Sequence, residues 1–150
     1  MDKKWIALIC IVILLVIGLI AYFNFTNQET EVKIGNSTFQ LPNGYHIANS
    51  DIKNVTNLTN GTHKIYIKVY DDKNIKEHVN SYVDYAEKNN KTAKISNFTV
   101  GKTLVYKSNL NGSNIVHYWF VKNKNVYNIY SQDKNPEMDS ITIKLIESIT

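Results

Sequence analysis

Four histidines are the side chains of this sequence best suited to hold a metal ion or to move a proton. His63 and His117 fall on predicted strands, where they could become neighbours and act as metal ligands. No His-x-His or His-x-x-x-His spacing occurs, and no acidic residue alternates with either histidine. His78 lies beside the apolar stripe of a predicted helix, where solvent would surround it. His46 belongs to no motif. We therefore expect no metal site and no cofactor.

The other catalytic residue types occur without the spacing that catalysis needs. Asp71-Asp72 could act as paired carboxylates in acid–base chemistry. Adjacent residues at the end of a strand point apart, so a turn and a helix cap are the favoured interpretation. No serine lies in Gly-x-Ser-x-Gly, and no glycine-rich phosphate loop occurs. The single cysteine, Cys10, lies in an apolar segment, which excludes a Cys nucleophile or Cys zinc site beyond it.

Tyrosines are unusually frequent on the predicted strands. With Trp119 they could line a platform for a sugar, a lipid headgroup or a peptide. The alternative is that they pack between sheet and helix while their hydroxyls reach water, and strands select aromatic residues in any case. The packing alternative is favoured for these residues: Tyr66, Tyr70, Tyr106, Tyr118, Tyr127 and Tyr130.

Asn-x-Ser/Thr motifs occur more often than the composition predicts. Three are consecutive, in NVTNLTNGT. The excess suits an extracytoplasmic surface that carries N-glycans in a host with the machinery. Equally, Asn, Thr and Gly are common in turns for conformational reasons. Both interpretations stay open for the candidate sites, which are Asn24, Asn36, Asn54, Asn57, Asn60, Asn97 and Asn111.

The charge of the chain argues against nucleic acid as a partner. All 17 basic residues are lysines, against 13 acids, which gives a net charge of +4. Arginine supplies the bidentate contacts to guanine and phosphate, and it is absent. The hydrophobic content of 43% is that of a globular protein. About 120 residues beyond the apolar segment allow one domain with a core.

Residues 5–23 are predicted to form an uncleaved transmembrane anchor. These 19 residues carry no charge, and as a helix they would extend about 28 Å, close to the bilayer hydrocarbon thickness. Lys3 and Lys4 precede them, which predicts a cytoplasmic N-terminus and an external C-terminal domain. The residues expected to contact lipid include aromatic rings at both interfaces: Trp5, Ile6, Leu8, Leu14, Leu15, Tyr22 and Phe23.

A cleaved signal peptide is the competing interpretation of this segment. The apolar run is longer than a usual signal core, and only Gly18 and Ala21 are small near its end. Lipidation of Cys10 is disfavoured because Ile9 precedes it. We therefore divide the chain into a cytoplasmic tip and anchor (1–25), a short linker (26–30) and an extracytoplasmic domain (31–150).

The domain begins with strands. Residues 31–34 and 37–41 flank Gly35-Asn36, a hairpin signal. Residues 55–58 follow after a break, and then residues 63–70, in which apolar and polar side chains alternate. Over residues 72–89 the spacing of the apolar side chains changes from alternation to the three-to-four-residue spacing of a helix. This apolar stripe predicts a helix capped by Asp72 or Asn74.

Four more strands and a helix complete the domain. The strands are predicted at residues 93–100, 103–106, 115–122 and 125–130, with the most apolar one, 115–122, in the centre. Asn135 and Pro136 predict a helix start, although the β-branched run 141–143 leaves a strand open there. Tight turns predict an antiparallel sheet, so the fold class is α+β: an antiparallel sheet flanked by two helices, preceded by one transmembrane helix.

Several short motifs resemble the PsbP/Mog1-like superfamily and its small extracytoplasmic prokaryotic relatives. They are a Phe-x-Leu-Pro-x-Gly-Tyr entry (Phe39 to Tyr45), a helix with Tyr82 and Tyr85, the Gly101-Lys102 turn, Tyr118-x-Phe120, and a final Glu147-Ser148-Ile149. The resemblance covers about residues 31–150 and implies an antiparallel sheet with flanking helices. It implies accessory, scaffold or binding roles, without shared catalytic residues.

The sequence thus predicts a membrane-tethered, extracytoplasmic accessory or binding module without catalysis. Its partners would be the bilayer, through residues 5–23, and an envelope protein or cell-surface ligand, but no nucleic acid. Two alternatives stay open. One is a small envelope hydrolase or metal-binding protein whose histidine and acid meet only in the fold. The other is a structural subunit of a membrane complex.

Overall fold

The computed structural model describes the backbone of residues 3–26, 30–132 and 136–150, and the side chains of residues 9–20, 30–132 and 136–150. The described residues form three helices and nine strands. In chain order they are α1 (Lys3–Thr26), β1 (Glu31–Ile34), β2 (Ser37–Gln40), β3 (His46–Ala48), β4 (Val55–Thr59), β5 (Lys64–Tyr70), α2 (Ile75–Lys88), β6 (Ala93–Val100), β7 (Thr103–Leu110), β8 (Val116–Lys122), β9 (Asn125–Ser131) and α3 (Pro136–Glu147).

Seven strands form one antiparallel sheet in the order β3-β4-β5-β9-β8-β7-β6, and β1 and β2 form a separate hairpin. The predicted α+β fold with an antiparallel sheet is therefore confirmed. The strand expected in the centre, β8, is an interior strand, but β9 occupies the central position. β9 reaches it by pairing with β5, more than fifty residues earlier in the chain, a contact that no local pattern specifies.

The two faces of the sheet pack against different helices. Successive side chains of a strand point to opposite faces, so Tyr118 and Phe120 of β8 lie on one face and Trp119 on the other. The first face carries the main core, which includes Met138, Leu145 and Ile146 of α3. The second face carries a smaller cluster in which Val79 of α2 contacts Trp119 and Val126. The predicted flanking helices thus cover opposite faces.

An ion pair and a hydrogen bond fasten α3 to the sheet. The Lys107 ammonium lies 2.7 Å from Asp139 Oδ2, and the Tyr118 hydroxyl donates to Asp139 Oδ1. Burial and then the Asp139 carboxylate raise the pKa of Tyr118 far above its usual value, so this hydroxyl stays protonated. The three side chains fix the first turn of α3 over β7 and β8.

The β1–β2 hairpin covers the rest of the core face. The Tyr127 hydroxyl donates to the Ile34 carbonyl at 2.9 Å, and the Asn36 N–H donates to Asn125 Oδ1 at 3.0 Å. The hairpin turn can approach this closely only at a glycine. Gly35 has φ +58°, and a Cβ there would lie 2.8 Å from Val69 Cγ2.

The N-terminus of α2 shows why the chain turns into a helix there. The Asn74 side chain accepts from the Glu77 N–H at 3.4 Å and donates to the Glu77 carboxylate at 2.7 Å, a reciprocal cap. Of the two predicted caps, Asn74 is therefore the capping residue. Asp72 lies two residues before Asn74 and accepts from the Asn74 N–H at 2.8 Å.

The structure differs from the sequence predictions mainly at strand ends. β3 was not predicted, because its three residues are largely exposed and show no alternation. β7 extends four residues beyond the predicted end at Tyr106, because Ser108 is buried through a hydrogen bond to Trp119. The C-terminal segment is a helix, so the strand alternative was wrong. The predicted N-cap, Asn135, lies outside the described residues.

The N-terminal helix α1 contains the predicted anchor. Side chains are described only for its residues 9–20, so Trp5, Ile6, Leu8, Tyr22 and Phe23 lie outside the described side chains. Leu14 and Leu15 are 68% and 62% exposed. Among the residues that the structure describes, no helix is both long enough and apolar enough to cross a membrane. The transmembrane span and the domain limits stay predictions.

Candidate binding surface

Strand register places a row of rings across the sheet, on the face that carries α2. Tyr66 of β5 pairs with Tyr130 of β9, which pairs with His117 of β8. The Tyr66 and Tyr130 rings stack with centroids 5.0 Å apart and planes 11° apart. The Tyr130 and His117 rings stack at 5.1 Å and 29°. We call Tyr66, Tyr130 and His117 the aromatic row.

Helix α2 covers one end of the aromatic row. The Tyr82 ring lies 4.8 Å from the His117 ring and 6.0 Å from Trp119. Beneath it, the buried Trp119 indole N–H donates to Ser108 Oγ at 2.9 Å. Burial raises the pKa of Tyr82, and its hydrogen bond to Ser108 opposes that rise. These contacts form a packed aromatic layer under the helix, so this end of the row is structural.

His117 behaves as a neutral aromatic ring within the row. Its Nδ1 lies 3.2 Å from Asn128 Oδ1, so this nitrogen carries the proton if the amide oxygen is the acceptor. Burial lowers the pKa of His117, and the hydrogen bond to Asn128 opposes this effect only in part. A neutral imidazole stacks on Tyr130 without a buried charge.

The other end of the row lies on an open part of the sheet. We call the α2-side surface of β3, β4 and β5, together with the adjoining part of β9, the open face. None of the three described helices makes an extended contact with β3, β4 or β5. Tyr66 and Tyr130 belong to neither hydrophobic cluster and are half-buried. Burial, followed by the nearby hydroxyls of Tyr66 and Tyr70, raises the pKa of Tyr130.

A shallow cavity adjoins Tyr66 on the open face. Its volume is about 270 Å³, and Thr62, Lys64, Tyr66 and Gln132 line it. Lys68 lies farther along the same strand, with its ammonium 4.9 Å from the centroid of the Tyr70 ring. The open face therefore presents one aromatic wall, two lysines, a hydroxyl and an amide to solvent.

The tyrosine platform, the less favoured of the two interpretations of the sequence, is only partly formed. Tyr66, Tyr70, Tyr106, Tyr130 and Trp119 share the α2-side face, but Tyr118 and Tyr127 point into the opposite core and are buried. Alternation explains the split, because Tyr118 directly precedes Trp119, and Tyr127 and Tyr130 are an odd number of residues apart. The packing interpretation holds for Tyr118 and Tyr127, and it does not account for Tyr66 and Tyr130.

The two histidines considered as possible neighbours, His63 and His117, lie on different parts of the sheet. His63 precedes β5, whereas His117 lies on β8, and β9 separates the two strands. Within the described residues, no group of three or more His, Cys, Asp or Glu side chains is arranged to hold a metal ion. His117 has an amide as its hydrogen-bond partner.

No sequence motif indicated a histidine–carboxylate pair that the described residues form. His78 Nε2 lies 2.8 Å from Asp72 Oδ2, and its ring lies 4.0 Å from the Tyr70 ring. The hydrogen bond from His78, followed by that from the Asn74 N–H, lowers the pKa of Asp72. Asp71 instead accepts from Asn125, so the adjacent aspartates diverge as expected. No spacing rule signals a pair that spans a strand-to-helix connection.

Most of the candidate glycosylation sites with described side chains lie in turns. Asn60 accepts from the N–H groups of Thr62 and His63, which is what the turn interpretation predicts. Asn36 donates its amide to the Asn123 carbonyl. Asn57 is on β4 and donates to the Asn49 carbonyl, while its buried Oδ1 has no hydrogen-bond partner among the described residues. The side chains of Asn54, Asn97 and Asn111 are exposed.

Two further sequons begin at Asn24 and Asn90. Asn90, in Asn90-Lys91-Thr92, is a further motif of this type that the sequence analysis missed, and it is exposed. Asn24 lies outside the described side chains.

Comparisons with known proteins concern the fold. No family model matches the chain, and no curated protein matches it. A crystal structure from Bacteroides thetaiotaomicron is similar with a TM-score of 0.57 and 8% identity, covering 82% of this chain and 48% of that one. The solution structure of cyanobacterial PsbP (CyanoP) from Synechocystis is similar with a TM-score of 0.49 and 6% identity, covering 77% and 86%.

The chain spans about half the length of the Bacteroides structure. At such low identity this similarity shows a shared fold alone, because unrelated activities occur on one fold. Membership of the PsbP/Mog1-like superfamily stays a prediction.

Proposed function

We propose that the chain is a non-catalytic binding module, tethered to a membrane by its N-terminal helix, that contacts its partner through the open face. The observation that carries the proposal is the exposed end of the aromatic row. Tyr66 and Tyr130 stack on each other outside both hydrophobic clusters. Half-exposed aromatic rings with polar neighbours are characteristic of recognition surfaces. The partner is an envelope protein or another cell-surface ligand.

The sequence of the N-terminal segment supports the tether. Residues 5–23 carry no charge, and α1 extends over Lys3–Thr26. Lys3 and Lys4 at its start favour a cytoplasmic N-terminus, because positive charge is retained on that side. The linker and the domain would then lie outside.

Cysteine accessibility tests the tether and its orientation. Cys10 is the sole cysteine, so a Cys10→Ser background allows single cysteines to be placed at Asp2 and at the exposed Asn111. A membrane-impermeant maleimide should label the Asn111→Cys variant on intact cells and the Asp2→Cys variant only after permeabilisation. Labelling in the reverse order would contradict the orientation, and release of the chain by alkaline carbonate would contradict the tether.

Site-specific photocrosslinking tests the open face. Benzoyl-phenylalanine at position 66 should capture a partner on intact cells. The same group at position 85 should not, because Tyr85 is 59% exposed on α2, away from the aromatic row. Equal capture at both positions, or capture at position 85 alone, would contradict the assignment of this face.

A small envelope hydrolase is the second candidate, because the structure contains a histidine–carboxylate pair. His78 and Asp72 lie within hydrogen-bond distance, as a general base and its orienting acid would. His78→Ala should abolish any hydrolytic activity of the purified chain if the pair is catalytic. Activity that survives this change would exclude the pair from the reaction.

A further inference from the structure

The described strands of the open face carry positive charge without an acidic side chain of their own. The strands that form it, β3, β4, β5 and β9, contain no Asp or Glu. Lys64 and Lys68 point to its solvent side, and neither forms an ion pair with a described residue. The acids Glu77, Asp84 and Glu87 are on α2 instead. A surface of one sign favours a ligand of the opposite sign.

The chemistry around the cavity is that of a saccharide site. A sugar ring has apolar C–H groups that pack on an aromatic ring and hydroxyls that need donors and acceptors. Tyr66 supplies the ring, Thr62 and Gln132 supply the polar groups, and Lys64 supplies the charge. The volume of about 270 Å³ lies just below the range of roughly 300–1,000 Å³ for drug-sized ligands, which suits a single ring unit.

We propose that the open face binds an acidic saccharide, with one carboxylate-bearing sugar ring in the cavity against Tyr66 and Lys64 as its counterion. This inference rests on the proposed function and names the class of ligand. The Tyr130 ring stacks on the Tyr66 ring and holds it in position. Lys68 lies two residues after Tyr66 on the same face of β5, about 7 Å away by strand geometry. There it contacts the next sugar unit of the oligosaccharide.

The geometry favours a saccharide over an acidic peptide. Extended peptides usually bind at a sheet edge, where unpaired backbone groups form hydrogen bonds with them. The cavity lies away from the edges, because β5 pairs with β4 on one side and β9 on the other. Backbone groups of β5 are therefore already used, and only side chains can contact the ligand.

Calorimetric titration of the full chain in phosphatidylcholine nanodiscs tests the inference. The probes are oligogalacturonate, a hyaluronan oligosaccharide and sialyllactose, each with its methyl ester as the uncharged control. We expect at least one acidic probe to bind, to weaken as salt is added, and to bind better than its ester. Lys64→Gln should weaken it roughly tenfold, as loss of one charge-assisted contact would, and Tyr66→Ala should weaken it at least as much.

Two matched variants test whether any loss of a surface lysine or tyrosine weakens binding. Lys88→Gln removes an exposed lysine from the end of α2, and Tyr85→Ala removes an exposed ring from the same helix. Both should leave binding unchanged. Equal losses in these controls would overturn the proposed site.

Other outcomes separate this inference from the proposed function. Equal binding of the ester and the acid overturns the role of Lys64. Binding of poly-glutamate or of phosphatidylglycerol nanodiscs, without any acidic saccharide, overturns the ligand class. If none of the probes binds, the proposed ligand class is also overturned. In each of these cases selective crosslinking at position 66 would still support the binding module, and its absence would end that proposal as well.

Discussion

At the residue scale, one half-buried ring and one glycine show how the environment of a residue decides its role. His117 has the side chain of a base or a metal ligand, yet the structure surrounds it with Tyr82, Tyr130 and Trp119 and gives it the Asn128 amide as a hydrogen-bond partner. Burial lowers its pKa. The residue type was visible in the sequence, but its surroundings arise from strand pairing.

The lowered pKa of His117 predicts a loss of stability in mild acid. In the unfolded chain its pKa returns to about 6.5, so as the pH falls below that value the unfolded state takes up the proton first. The free energy of unfolding should therefore fall from about pH 7 down through the folded pKa and level off below it. Urea unfolding in nanodiscs across this range measures the slope, and NMR of the His117 ring measures the folded pKa.

Two variants identify His117 as the source of this slope. His117→Phe keeps a ring and removes the titration, so its slope should be flatter. Tyr130→Phe changes the neighbouring ring without altering any group that titrates between pH 5 and 7, and it should keep the wild-type slope. A folded pKa above 6.5 would contradict the prediction.

Gly35→Ala should destabilise the domain more than the same change at another turn. Gly35 and Gly101 both have φ +58°, but a Cβ at Gly101 would meet nothing within 4 Å, whereas one at Gly35 would contact Val69, Asn125 and Tyr127. The left-handed backbone costs both variants about 1–2 kcal/mol, and overpacking adds roughly 1–3 kcal/mol at Gly35 alone. Urea unfolding measures both, and equal losses would exclude the steric term.

At the element scale, strands with an alternating or strongly apolar pattern were predictable, and the short, largely exposed strand β3 was not. β5 alternates strictly and was predicted within one residue, and the α2 stripe was confirmed by burial of Val79 and Ala86. β3 could not be predicted from the sequence, because none of its three side chains is fully buried. Alternation alone also assigns Tyr66 and Tyr130 to faces. What it cannot supply is the register of β5 with β9, which makes these two tyrosines neighbours.

The attachment of α3 predicts a stability loss for Tyr118→Phe. Its hydroxyl donates to Asp139, which also holds Lys107. A hydrogen bond to a charged group contributes about 1.5–3 kcal/mol, and water can partly replace it because Asp139 is half-exposed, so a loss of roughly 1–2 kcal/mol in urea unfolding is expected.

Tyr106→Phe is the matched control, because the Tyr106 hydroxyl forms no hydrogen bond with a described residue. Its effect should stay within about 0.5 kcal/mol. A double-mutant cycle with Asp139→Asn should show coupling for Tyr118. Additive losses would mean that the two side chains do not stabilise α3 together.

At the scale of the whole molecule, the antiparallel sheet divides the surface into a covered part and an open part. α3 and the hairpin cover one face, whereas α2 covers mainly the β6 and β8 side of the other. The count and order of the elements predicted an α+β fold, but helix placement decides which half of a face remains open. Tertiary packing fixes that placement, and periodicity within one segment carries no signal for it.

This arrangement predicts a gradient of amide exchange across the sheet. β9 is central, and five of its seven residues, Asn125 to Ile129, are buried in succession, so its amides should open only with global unfolding. β3 is a three-residue edge strand without a fully buried residue and should exchange fastest among the strands. β6, the other edge, should lie between them, because it is longer and pairs with β7 along its whole length.

Hydrogen exchange of the full chain in nanodiscs, read by mass spectrometry or NMR, measures the order of exchange among these strands. Protection of β3 equal to that of β9 would mean that a partner or a second chain covers the β3 edge, which would extend the binding surface from the open face to the end of the sheet.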